Sequence, residues 1–116
     1  MRWLEGAEPA ATRVEEVLEE RPVMSWINCG EVFYIVHRSA GSTVASRVIN
    51  DLRSRVILDR ASPARVLEAA TIKANHPLAF ANAFAIATAR AHDAVLLTGD
   101  PEVLAGEGTW PVEGLR

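Results

Sequence analysis

Leu78 to Pro101 reads LAFANAFAIATARAHDAVLLTGDP, a long apolar helix feeding a strand that stops on a carboxylate. Leu78, Ala79, Ala83, Phe84, Ile86, Ala87 and Ala89 to Ala91 are small or apolar at nearly every turn, the pattern of a helix covered on most sides. His92-Asp93 interrupts it, and Ala94-Val95-Leu96-Leu97 is a continuous apolar run of strand length. Such runs belong to parallel sheets covered on both faces. Thr98-Gly99-Asp100-Pro101 ends the strand. In open α/β sheets ligands bind outside the carboxyl ends of the strands, so Asp100 stands where chemistry is expected. Asn82 faces the same end if it lies in the first turn of the helix.

Outward from this stretch the chain alternates. Gly6-Ala7-Glu8-Pro9 opens a helix to about Glu20, closed by Arg21-Pro22 because a residue before proline is pushed out of the α region. Val23 to Trp26 is a short strand. Ser25 or Asn28 caps a helix to about His37, whose apolar positions Val32, Tyr34, Ile35 and Val36 are expected to face the core, and Ser39-Ala40-Gly41-Ser42 is a turn before a further helix to about Arg53. Val56 to Leu58 is a second strand. Ser62-Pro63 starts the next helix, with serine as cap and proline in the first turn. Beyond Glu102 the reading is a short helical turn and then an edge strand at Thr109 to Val112, since Pro111 is barred from a central position.

The 116 residues suffice for one domain, 1–116, and 49% of them are apolar. No stretch reaches the roughly 18 apolar residues of a membrane span, and the charged, turn-like start predicts no signal peptide. The single cysteine, Cys29, excludes an internal disulfide and suits a reducing cytoplasm; its expected role is that of a small buried hydrophobe. Charge is unevenly spread. Residues 1–36 carry three Arg against seven Glu, residues 37–76 carry six Arg and one Lys against three acids, and residues 77–116 carry two Arg against five acids. A basic middle segment thus lies between acidic ones, placing Arg38 and Arg47 where a phosphate backbone would be met. His37, His76 and His92 show no metal spacing, and Trp3, Trp26 and Trp110 are expected in core or edge packing.

The order of motifs (strand, helix with Asn28-x-x-Glu31, basic helices, Leu78-x-x-Ala81-Asn82-Ala83-Phe84, strand ending Thr98-Gly99-Asp100) resembles the PIN-domain ribonucleases, above all the VapC-type toxins of bacterial toxin–antitoxin modules. The resemblance implies a three-layer α/β/α sandwich with a parallel sheet, in which clustered acids bind Mg²⁺ or Mn²⁺ and cleave RNA. It assigns catalysis to Glu31 and Asp100, with Asn82 as a third metal-site residue and Asn28, Thr98, Arg38 and Arg47 toward substrate. It also implies a VapB-like antitoxin as partner. Read singly, Glu31 is a solvated helix residue, Asp100 a turn former and Asn82 a helix cap; their joint placement carries the reading.

Two departures shape the expectation. The family pattern has aspartate where this chain has Asn82, and it begins with an apolar strand ending in aspartate that is lacking here, as in an N-terminally truncated domain. Hard divalent cations want oxygen ligands, and an amide brings no charge of its own. An impaired endoribonuclease is therefore expected, the alternative being an inactive PIN domain that binds antitoxin, RNA or itself. A central strand buries four or five apolar side chains at about 1.5–3 kcal/mol each. Its lack predicts that Val23–Trp26 pairs directly with Ala94–Thr98, or that a homodimer exchanges a segment to fill the gap.

Overall fold

A computed structural model describes residues 10–98, 110 and 112–114. Along the chain run α1 (Ala10–Glu19), β1 (Val23–Ser25), α2 (Trp26–Arg55), β2 (Ile57–Asp59), α3 (Pro63–Asn75), α4 (Phe80–Ala91), β3 (Leu96–Thr98) and β4 (Val112–Gly114). The strands pair in parallel. β1 aligns with β2, Val23 opposite Ile57 and Ser25 opposite Asp59. β3 aligns with β4, Leu96 opposite Val112 and Thr98 opposite Gly114. The Pro22 carbonyl accepts from the Ile57 N–H at 2.9 Å, extending the first ladder by one rung. The architecture is the expected PIN-like one, helices packed on short parallel strands.

Local chemistry accounts for the element ends. Arg21 takes φ 52°, a left-handed conformation, while the Glu20 and Arg21 amides bond back to Val17 and Leu18. The chain thereby turns out of α1 directly before Pro22. The Ser25 hydroxyl accepts from the Ile27 N–H at 3.1 Å and caps α2. The turn expected at Ser39–Ser42 is a break inside α2: Gly41 stands at φ 88°, ψ 172°, a region essentially reserved for glycine. Ser62 caps α3 through the Arg65 N–H at 3.2 Å, with Pro63 in the first turn.

Three boundaries differ from the sequence expectation. β2 begins at Ile57 because the Val56 N–H still bonds the Leu52 carbonyl at 3.1 Å, closing α2. β3 begins at Leu96, and Val95 is 61% exposed, so the apolar run is not buried throughout. The cause is the end of α4. Asp93 adopts φ 50°, its N–H bonds Arg90 and the Ala94 N–H bonds Ala89 at 2.8 Å, which is a Schellman closure that takes Ala94 out of the strand. The last strand lies at Val112–Gly114 rather than 109–112. The helical turn after Glu102 and the helix start at Gly6 to Pro9 lie outside the described residues.

Direct pairing of β1 with β3 is not found: among the described residues β1 pairs with β2 and β3 with β4. The two strand pairs are instead linked by α4, which touches both β1 and β3 as well as α2 and α3. Two apolar cores result. Leu18, Cys29, Val32, Val36, Ala45, Leu52 and Val56 form one, along the inner line of α2. Ala69, Ile72, Leu78, Ala83, Phe84, Ile86, Ala87 and Trp110 form the other, between α3 and α4. Trp110 is buried as expected, against His76 and Arg90. Trp26 is not, and of Val32, Tyr34, Ile35 and Val36, all expected to face the core, only Val32 and Val36 are buried: Trp26, Tyr34 and Ile35 are exposed, because Ser25, Cys29, Val32 and Val36 occupy the inward line of α2. Trp3 lies outside the described residues.

Candidate functional site

The N-terminal turns of α2 and α4 meet. Asn28, half-buried in the first turn of α2, donates from Nδ2 to the Ala81 carbonyl in the first turn of α4 at 2.9 Å. Asn82 is the next residue, half-buried, while Ala83 and Phe84 beyond it are buried in the core. Glu31 lies one turn past Asn28 on α2 with its carboxylate exposed. This long-range bond holds the Glu31 and Asn82 segments together. β1 ends at Ser25, directly before α2, so this meeting point lies at the carboxyl end of β1. Thr98 ends β3, and Asp100 lies outside the described residues.

Glu31 and Asn82 carry oxygen atoms of the kind a hard cation such as Mg²⁺ prefers. Among the described residues no three His, Cys, Asp or Glu side chains gather where they could share a metal ion. Asn28 reaches the site as a pin between helices, its amide nitrogen engaged by backbone. Arg38 and Arg47 are exposed on α2, Arg38 seven residues and Arg47 sixteen residues past Glu31. Cys29, one residue past Asn28, is buried, and burial pushes its thiol up while the Arg53 charge opposes this. It is the inert small hydrophobe expected of it.

A second polar cluster was not visible in the sequence. Asp59, the last residue of β2, has a side chain only 10% exposed. Arg65 donates to it from Nε at 3.3 Å and from Nη2 at 3.2 Å, and His92 Nε2 stands 2.7 Å from Oδ2. Burial alone would raise this carboxyl, but the bonds from Arg65 and His92 outweigh it and leave Asp59 below the ordinary aspartate value. Arg65 also pairs with Glu68 on α3. The cluster ties the end of β2 to α3 and to the end of α4. His92 stands 33 residues from Asp59, and no local spacing signals their meeting.

Parallel strands, intervening helices and polar side chains at a strand end define an α/β domain. The model of the PIN domain family matches residues 1–105, and the chain belongs to that family. Three solved structures share its fold. The DNA-bound VapBC structure from Salmonella typhimurium matches with a TM-score of 0.73 at 14% identity, covering 93% of this chain and 86% of the other. A toxin–antitoxin complex from Klebsiella pneumoniae gives 0.70 at 21% identity over 97% and 89% of the two chains. VapBC-1 from nontypeable Haemophilus influenzae gives 0.70 at 21% over 97% and 90%. No curated protein matches the chain. Among the described residues no helix is long and apolar enough to cross a membrane.

Proposed function

We propose that the chain is a VapC-like endoribonuclease of a toxin–antitoxin pair, acting in the cytoplasm and restrained by a VapB-like antitoxin. The observation that supports this reading most is the Asn28–Ala81 bond, which brings the Glu31 and Asn82 segments to one place in a PIN fold. Glu31 and Asp100 supply the carboxylates and Asn82 a neutral oxygen for one Mg²⁺ or Mn²⁺ ion. That ion, when bound, activates the attacking water and neutralises charge on the phosphoryl group. Thr98, Arg38 and Arg47 are assigned to the RNA substrate, and Asn28 fixes the helix that carries Asn82.

Activity is impaired, because asparagine at 82 removes one negative charge from a site that must attract a dication. The second reading is an inactive PIN domain that binds antitoxin, RNA or itself; the thin acid cluster favours it. Cleavage of a mixed single-stranded RNA in Mg²⁺ and in Mn²⁺ is the test. Slow, metal-dependent cleavage abolished by Glu31→Gln is the expected result. Cleavage indifferent to Glu31→Gln would refute the site, and absence of cleavage in either metal would leave the inactive domain as the function.

A further inference from the structure

The outer face of α2 carries an unusual set of side chains. At about 100° per residue, Trp26, Gly30, Phe33, Tyr34 and His37 fall within one exposed band, beside the buried line of Cys29, Val32 and Val36. Arg38 and Glu31 border the band on the side that leads to Asn28 and α4. Tyr34 is 55% exposed, with the Arg38 guanidinium 5.5 Å from its ring centroid and donating to its hydroxyl at 2.8 Å. Arg53 lies 5.3 Å from the centroid of Trp26, and the Phe33 and His37 rings are 5.7 Å apart. Beside Tyr34 an open hollow of about 330 Å³ is lined by Ile35, Arg38 and Ser39 as well.

Gly30 stands four residues after Trp26 and four before Tyr34, and a Cβ there would meet nothing within 4 Å. Eight residues of helix rise about 12 Å. The two rings therefore flank a stretch of bare backbone, a slot with aromatic walls and a guanidinium at each wall. Guanidinium-backed rings beside a slot are what a strand of unpaired bases requires: π faces for stacking and fixed cations for phosphates.

We infer that this band of α2 is a binding track for single-stranded RNA, on which a base stacks at Tyr34 and the neighbouring phosphate meets Arg38, so that the strand is led to Glu31. The inference rests on the ribonuclease reading and names the residues that hold its substrate. A protein helix could also use an apolar band, but the charges favour RNA: the rings of Tyr34 and Trp26 each have a guanidinium beside them, from Arg38 and Arg53.

Anisotropy of a fluorescein-labelled single-stranded RNA in EDTA, which stops cleavage, tests the track against an abasic oligomer of the same length. Tyr34→Ala weakens RNA binding by about tenfold, the range of one lost base stack, and Tyr34→Phe by no more than about twofold. Gly30→Leu fills the slot and weakens RNA binding to a similar degree, yet it melts no lower than the parent because an exposed helical glycine is replaced. Neither variant changes abasic binding, whereas Arg38→Ala weakens both ligands and lowers the salt slope by about 0.7. RNA binding unchanged in both Tyr34→Ala and Gly30→Leu would overturn the track, as would equal losses on the abasic oligomer. If Glu31-dependent cleavage persists in that case, the ribonuclease reading stands and only the track fails. A parent that binds no RNA at low salt overturns both. Loss of antitoxin co-purification in Tyr34→Ala with RNA binding intact would give the band to a protein partner instead.

Discussion

Replacing Asp59 by asparagine keeps the shape of the side chain and removes its charge. In the folded protein that carboxylate is 10% exposed, accepts two bonds from Arg65 and lies 2.7 Å from His92 Nε2. Breaking a buried ion pair by removing one partner costs about 3–5 kcal/mol. Here Arg65 keeps Glu68 as a second carboxylate, which offsets part of the loss, so about 2–3 kcal/mol is expected. For a domain of this size each kcal/mol moves the melting temperature by about 4 °C, giving a fall of about 8–12 °C by thermal circular dichroism at pH 7. The pH dependence follows from the direction of the shift. The folded carboxyl titrates below its unfolded value, so its stabilisation is full above about pH 4 and is lost as pH falls through the folded value. Parent and variant should therefore converge in acid and stay a constant distance apart between about pH 5 and 6. A variant that melts within about 2 °C of the parent at pH 7 would show that the cluster is solvated decoration and not a tie between β2, α3 and α4.

Asp93 holds a left-handed conformation at the end of α4, a position that favours glycine, so Asp93→Gly should stabilise the protein by up to about 1 kcal/mol; a lower denaturant midpoint would refute the Schellman assignment. Asn28→Leu removes the bond to the Ala81 carbonyl while keeping the volume. Since that carbonyl also faces the helical N–H four residues on, the loss should be about 1 kcal/mol by urea unfolding, with Glu31-dependent cleavage reduced further because the two helix starts are no longer pinned.

Features set by neighbours in sequence could be read from the chain; features set across space could not. The Ser25 and Ser62 caps, the break at Gly41 and the exit at Arg21-Pro22 depend on one residue's conformation or one hydroxyl. Parallel pairing followed from the alternation of strands and helices. The inner line of α2 was harder, since Trp26 and Val32 are both apolar and only the direction fixed by the Ser25 cap turns one outward and the other in. Val95 looked like strand because it lies in a continuous apolar run, but the Schellman closure at Asp93 decides the local path. Asp59, Arg65 and His92 converge from three elements, and nothing in their spacing announces it. Glu31 and Asn82 were legible as a pair only through the order of motifs; the bond that joins their helices is contributed by Asn28.

The identity of residue 82 decides how much charge the site offers a cation. Its place is fixed by its neighbours: Ala81 is bonded to Asn28, and Ala83 and Phe84 are buried. Residue 82 is the third of α4, whose N-cap Ala79 offers no side-chain bond to the first-turn amides. A carboxylate in that turn is favoured by the helix dipole by about 0.3–1 kcal/mol. Thermal melts of Asn82→Asp beside the parent accompany the metal titration, so that a change in folding is read separately from a change in metal affinity. Titration calorimetry with Mn²⁺ should show tighter binding in Asn82→Asp than in the parent, and the gain should vanish when Glu31→Gln is added, because carboxylates that share an ion act as a unit. Cleavage need recover little, for the same reason. Equal Mn²⁺ binding by parent and variant would separate residue 82 from the metal and refute its place in the site.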